Sequence, residues 1–206
     1  MNTKWARWAA LALLLSCNFC QNDPLETVER RDEGGKLERW QQRKGTSVKE
    51  GLFQRFSADG RLLSEAHYLA DSLHGEQRYF YPNGTTEIVE RYQQGRLHGK
   101  FQSFYETGSL KIEQDFVNGR LEGLSIKYYP NGQIEEKVAM RNNMEDGPFV
   151  EYYENGKLKT EGRYAPDEDS GEGLEDGELR EYDENGEIIR IADCTMGRCV
   201  TRWKKK

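Results

Sequence analysis

Tyr92–Phe116 reads YQQGRLHGKFQSFYETGSLKIEQDF, and this stretch holds one full period of the pattern that dominates the chain. Gly99 within it belongs to a series at Gly51, Gly75, Gly99, Gly123 and Gly147, each 24 residues after the last, which resumes at Gly177 after six inserted residues. A second series, Gly60, Gly84, Gly108, Gly132, Gly156 and Gly186, keeps the same step and the same insertion. Self-similarity at such a period marks a repeat architecture, in which each unit buries its apolar face only against its neighbours.

Each unit carries two turn signals. The first is written PNG at 82–84 and 130–132, ENG at 154–156 and 184–186, and ADG at 58–60. Pro or Glu, then Asn or Asp, then Gly predicts a type I turn closed by a left-handed residue, the three-residue hairpin loop with a bulge. The second turn places its left-handed residue at Asp71, Gly95, Gly119 and Asn143, residue types that tolerate a positive φ. Between the turns lie strands. One column holds Leu62, Leu110, Ile134, Leu158 and Ile188, with Thr86 its polar member; six residues on, another holds Tyr68, Tyr92, Phe116, Met140 and Tyr164, on the same face by even spacing. The other strand of each unit carries Phe56, Phe80, Phe104, Tyr128, Tyr152 and Tyr182. The adjacent column Tyr81, Tyr105, Tyr129 and Tyr153 falls on the opposite face.

Two strands and two turns per unit predict an all-β fold: an antiparallel β-meander of hairpin repeats in a single extended, twisted sheet. About twelve strands at roughly 4.8 Å each would span about 58 Å. Residues 1–16 read as a secretory signal, 17–27 as a tether containing Pro24, and 28–50 as a degenerate capping repeat. Six repeats then fill 51–192, with an acidic insertion at 165–176, and 193–206 form a C-terminal tail.

The signal has Lys4 and Arg7 in a positive n-region, an apolar run from Trp8 to Leu15, and the small residue Ser16 before Cys17. Leu14-Leu15-Ser16-Cys17 resembles a bacterial lipobox, which implies lipidation of Cys17 and a lipid-anchored envelope protein; Cys20, preceded by bulky Phe19, is the competing site. Asn18 after the lipidated position points to the outer membrane, facing the periplasm. Lys4 and Arg7 leave with the signal, so 28 basic residues face 36 acidic ones and the net charge moves from −6 to about −8. That balance argues against a nucleic-acid partner. Hydrophobic residues make up 35% of the chain and charged ones 32%, too little apolar surface for a thick core.

YQQGRLHGKFQSFYETG, FVNGRLEGLSIKYYPNG and MRNNMEDGPFVEYYENG resemble the bacterial variant of the MORN repeat, Y-x-x-G-x-x-H-G-x-F-x-x-Y-Y-x-N-G, over about residues 51–190. The resemblance implies the repeat-sheet fold. Proteins of this kind are often described as antitoxin components, and other MORN repeats as membrane-associated or scaffold modules. Export and lipidation run against an intracellular antidote. The His-Gly pair of the pattern stands only at His74 and His98; Glu50, Glu122, Asp146 and Asp176 replace the histidine elsewhere.

The strongest candidate binding residues are Tyr81, Tyr105, Tyr129 and Tyr153, since consecutive aromatics face opposite sides and a single-layer sheet covers only one row. Cys194 and Cys199, with Gly197 between them, are expected to form a disulfide in an exported compartment. No metal site is expected: equivalent positions such as His74 and His98 are two strands apart, about 9–10 Å, against zinc–ligand distances of about 2 Å. The insertion, with Asp167, Asp169 and Glu178 faintly spaced as in a calcium loop, reads as a solvated acidic loop. Ser103, His98 and Asp115 have no triad-like spacing, no cofactor motif appears, and no enzyme is expected. Arg198, Arg202 and Lys204–Lys206 read as a frayed basic tail. The expected function is a non-catalytic envelope lipoprotein whose repeat sheet binds or scaffolds a protein partner. The alternatives are an antitoxin-like inhibitor of a toxin or enzyme, and a cell-wall polysaccharide binder.

Overall fold

The computed structural model describes residues 24–206, so the signal, Cys17 and Cys20 lie outside the described residues. Seventeen strands, from Leu25–Arg31 to Arg198–Lys204, form one sheet. Each strand but Gly99–Phe104 and Gly177–Tyr182 pairs antiparallel with the one before it in sequence. Arg96–Leu97 and Gly99–Phe104 are two halves of one rung, both paired to Thr86–Gln93. Glu172–Glu175 and Gly177–Tyr182 are likewise both paired to Leu158–Asp167, leaving fifteen rungs. At about 4.8 Å per rung the sheet extends about 70 Å.

The three rungs beyond the expected twelve come from the ends. Leu25–Arg31 and Leu37–Arg43 make the N-terminal cap a paired hairpin that begins inside the expected tether. At the other end Arg198–Lys204 pairs with Ile188–Thr195, so the tail is a strand and not frayed. Its cations are engaged: Arg202 reaches Glu178 and Asp193, and Lys205 reaches Glu187 and Asp183. Backbone pairing and this charge compensation hold a segment that composition alone marks as loose.

Both turn types form. In Tyr81–Thr85 the amide of Gly84 donates to the carbonyl of Tyr81 at 2.9 Å and the amide of Tyr81 to that of Thr85 at 2.8 Å, with Gly84 at φ 86°. The second turn is tighter than expected, because both central residues are left-handed: Ala70 with Asp71, Gln94 with Gly95, Asn118 with Gly119, and Asn142 with Asn143. Two consecutive positive φ values define the type I′ turn, whose twist matches that of a hairpin. Glycines of the Gly51–Gly177 series also have positive φ and sit at bulges. Around Gly75 the pairing moves from Ala66↔Gln77 to Tyr68↔Leu73.

The inserted residues lengthen a hairpin. Tyr164–Asp167 pairs with Glu172–Glu175, and the arm folds onto the start of Met144–Tyr152, where the amide of Gly173 donates to Glu145 Oε2 at 3.0 Å. A β-carbon at Gly173 would stand 2.5 Å from the Glu145 carbonyl oxygen, so the approach needs glycine. Apart from this arm, strands make their main contacts with their sequence neighbours, and no second layer among the described residues packs on the sheet. Among the described residues nine hydrophobic side chains are buried, the main cluster being Val138, Phe149, Leu179, Ala192 and Cys194 toward the C-terminal end.

Candidate binding face

Residues directly opposite in an antiparallel ladder share a face, so the registers sort the side chains. Trp40↔Phe53↔Ala66, Ser64↔Tyr79↔Ile88, Gly75↔Tyr92↔Leu97 and Gly99↔Phe116 place these residues on one side. Ser125↔Val138↔Phe149 and Gly147↔Tyr164 continue that side to the C-terminal end. Nine aromatic residues therefore share a face: Trp40, Phe53, Tyr68, Tyr79, Tyr92, Phe101, Phe116, Phe149 and Tyr164. They meet in pairs, with ring centroids 5.6 Å apart for Phe53–Tyr68, 6.2 Å for Phe101–Phe116 and 4.3 Å for Phe149–Tyr164. Polar residues between them bond to the phenols or to each other. Gln77 Nε2 donates to Tyr79 Oη at 2.7 Å, Tyr92 Oη to Glu90 Oε2 at 2.9 Å, and Gln114 Nε2 to Ser125 Oγ at 2.9 Å.

The reverse face mixes ion pairs with the column Phe56, Phe80, Phe104, Tyr128, Tyr152 and Tyr182. Glu76 bridges Arg78 and Arg91, Lys100 bridges Glu113 and Asp115, and Glu178 bridges Arg180 and Arg202. These pairs are solvated and contribute little each.

Electrostatics on the aromatic face are uneven. Glu136 stands directly opposite Glu151, and Tyr164 lies among Glu175, Glu136, Glu151 and Glu145. Burial, followed by the Glu151 charge, raises the pKa of Glu136 above the ordinary carboxylate value. Burial and then the Glu175 charge push the Tyr164 phenol to about 12. Tyr92 is raised as well, by burial and then by its bond to Glu90.

The tyrosines expected to form the binding row take a different place. Tyr81, Tyr105, Tyr129 and Tyr153 stand one residue past their strands, at the first position of the glycine turn, and not on an open face. Each phenol donates to a backbone carbonyl one repeat on: Tyr81 to Phe104 at 2.8 Å, Tyr105 to Tyr128 at 2.7 Å, Tyr129 to Tyr152 at 2.8 Å and Tyr153 to Tyr182 at 2.7 Å. Three of the turns add an asparagine link, from Asn83 to the Glu106 carbonyl at 3.2 Å, Asn131 to Glu154 at 3.1 Å and Asn155 to Glu184 at 3.5 Å. Ser57 and Asp183 replace the tyrosine in the first and last turns, where the chain of links begins and ends. The half-buried row is thus a staple between repeats, because the turn carries the phenol sideways along the sheet edge.

The opposite edge is stitched as well. Amides of the second turns donate to carbonyls of the preceding repeat, Gly95 to Leu73 at 2.8 Å and Gly119 to Leu97 at 2.7 Å. The column that mixes His, Glu and Asp braces the same turns. Ala70 N donates to Glu50 at 3.0 Å, Asn118 N to His98 Nδ1 at 3.4 Å, Asn142 N to Glu122 at 3.2 Å and Met196 N to Asp176 at 3.4 Å. All three residue types offer an acceptor, and that shared property was the legible signal for this role.

Among the described residues no three His, Cys, Asp or Glu side chains converge as metal ligands. Asp167 instead binds its own turn, accepting from Asp169 N at 3.3 Å and Ser170 Oγ at 2.8 Å. His98, Ser103 and Asp115 are not assembled: Asp115 pairs with Lys100 at 3.4 Å, and the buried Ser103 Oγ has no hydrogen-bond partner among the described residues. Cys194 and Cys199 are disulfide-bonded across the last hairpin, with Cα atoms 3.9 Å apart.

A one-sheet protein whose 24-residue hairpin units are stapled along both edges is a repeat scaffold. In comparison with known families, the MORN repeat variant matches residues 49–70, 73–94, 97–118, 121–142, 145–165 and 175–193. The chain belongs to that family, and the array supports a repeat-based binding or scaffolding role. No curated protein matches the chain.

Proposed function

We infer that the protein is a non-catalytic lipoprotein of the bacterial envelope, anchored through Cys17 at the periplasmic side of the outer membrane, and that its aromatic face docks a protein partner. The observation that carries this reading is the row of nine aromatic residues on one side of the sheet, three neighbouring pairs of them in ring contact, against six aromatics set among ion pairs on the other. Tyr and Trp give large contact area at low conformational cost and are enriched at protein interfaces. The staples on both edges hold the rungs in register, so the row is presented as a preorganised surface.

Site-specific photocrosslinking in cells tests the reading. A crosslinker at Tyr92 or Phe116 captures a defined partner, whereas one at His67 or Leu124 on the reverse face does not. Equal capture from both faces removes the docking face. A partner that is a toxin or enzyme silenced by the contact assigns the inhibitor function, and capture of cell-wall glycan in place of protein assigns the polysaccharide reading. The anchor is tested separately: Cys17→Ala releases the protein from membranes or stalls its processing.

A further inference from the structure

Near the N-terminal end of the aromatic face, three rings surround a cation. The ammonium of Lys49 lies 5.8 Å from the ring centroid of Trp40, 5.0 Å from that of Phe53 and 5.3 Å from that of Tyr68. The rings are themselves packed, with Trp40–Phe53 centroids 6.5 Å apart and Phe53–Tyr68 centroids 5.6 Å apart. Lys49↔Gln42 and Trp40↔Phe53 are cross-strand pairs on either side of a bulge, which turns the lysine stem over the rings. Among the described residues the ammonium makes no hydrogen bond or ion pair, so the ring faces are its companions there.

Two polar side chains beside the cage are already hydrogen-bonded. Trp40 Nε1 donates to Gln42 Oε1 at 3.1 Å, and Gln42 Nε2 donates to Glu26 Oε1 at 2.8 Å. An N–H cation entering the cage gives up water largely for ring faces, which accept hydrogen bonds only weakly. A methylated ammonium has no N–H to satisfy, is weakly hydrated, and is attracted by ring quadrupoles at these distances. The Glu26 carboxylate, one hydrogen bond behind Gln42, adds favourable charge. Arg55 also lies over Phe53, at 5.3 Å, but its guanidinium pairs with Glu38 at 3.1 Å.

We propose that Trp40, Phe53 and Tyr68 form an aromatic cage that binds a trimethylammonium group, with the Lys49 ammonium as its resident plug. Binding exchanges one cation for another, so the charge of the site is unchanged and the lysine swings out into water on its flexible stem. The site is independent of the protein-docking reading, since it needs only these three rings and a soluble cation.

Ligand-observed NMR on the methyl protons of tetramethylammonium, with the whole protein, is the test. The wild type binds at millimolar concentration, and Lys49→Met binds at least tenfold more tightly because the tethered competitor is gone. Trp40→Leu removes the binding while hydrogen exchange shows the sheet intact; Tyr68→Leu serves the same purpose if Trp40→Leu unfolds. Titrations with choline and with phosphatidylcholine vesicles distinguish a soluble ligand from a lipid headgroup. Binding confined to the Lys49→Met variant makes the cage an internal lysine contact and overturns the proposal. So does equal binding of methylammonium, or of the neutral isostere 3,3-dimethylbutanol.

Discussion

The phenolic oxygen of Tyr105 stands 2.7 Å from the carbonyl oxygen of Tyr128, 23 residues later, and this hydrogen bond joins one turn to the next. Three further tyrosines make the same contact, so the repeats are linked by side chains as well as by strand ladders. Tyr105→Phe keeps the ring and removes only the donor, with an expected loss of about 0.5–1.5 kcal/mol. Combining Phe at 81, 105, 129 and 153 lowers the denaturation midpoint further, since each link acts between a different pair of neighbours. A quadruple variant with the wild-type midpoint would show the phenols to be idle.

Gly132 and Gly147 differ in a way that substitution reads directly. Gly132 has φ 85° and open space where a β-carbon would go, so Gly132→Ala meets backbone strain alone, about 1–2 kcal/mol. Gly132→Asn costs less, because asparagine tolerates the left-handed region. Gly147 has φ 130°, and its β-carbon would stand 2.8 Å from that of Ala139, so Gly147→Ala adds a steric shift to the strain. Hydrogen exchange over residues 124–140 reports the first and over 136–150 the second. Equal losses for the two alanine variants would contradict the bulge geometry.

Glu136 faces Glu151 across the ladder with its pKa raised by burial and by that charge. A carboxyl raised in the folded state favours folding when protonated and opposes it when ionised. Its unfavourable contribution is therefore absent below about pH 4.5 and grows as pH rises through the folded value. Glu136→Gln raises stability at pH 7, by a few tenths to about 1 kcal/mol, and the gain fades as pH falls toward 4.5. Glu113, lowered by its bond to Lys100, has the opposite sign: Glu113→Gln loses stability at pH 7, and that loss fades on acidification. Urea titrations at pH 4 and pH 7 separate the two. A gain for Glu136→Gln that persists unchanged in acid rules out the charge mechanism.

The turns were legible because they depend on local chemistry: Gly84 and Gly132 occupy φ values that disfavour a β-carbon, and their spacing shows in the chain. Ala70 and Gln94 are equally left-handed but carry no residue type that marks them, so the two-residue turns read as having one special position. The tyrosine staples were misread for a different reason. Tyr105 follows Phe104, and strict alternation sends it to the other face, but the strand has already ended in the turn. The column Phe53, Phe101 and Phe149 was visible as the phenylalanine of the Gly-x-Phe motif. Its place beside Tyr68, Phe116 and Tyr164 depends on pairing between strands, which only the registers supply.

The last strand ends the array, and its disulfide is the natural place to test how that end is held. Cys194 and Cys199 are opposite each other in the final hairpin, and Cys194 belongs to the buried cluster with Ala192 and Leu179. Beyond it, Val200 is 73% exposed, so apolar burial contributes little to holding the strand. A crosslink closing so short a loop is worth about 2 kcal/mol in the chain-entropy account. Because coupling along the array is mainly between neighbours, reduction, or Cys199→Ser with Cys194→Ser, raises hydrogen exchange in Arg198–Lys204 and in Ile188–Thr195. Rungs near Phe53 keep their protection. Uniform loss of protection along the whole sheet after reduction would show that the array unfolds as one unit and that the end is not locally secured.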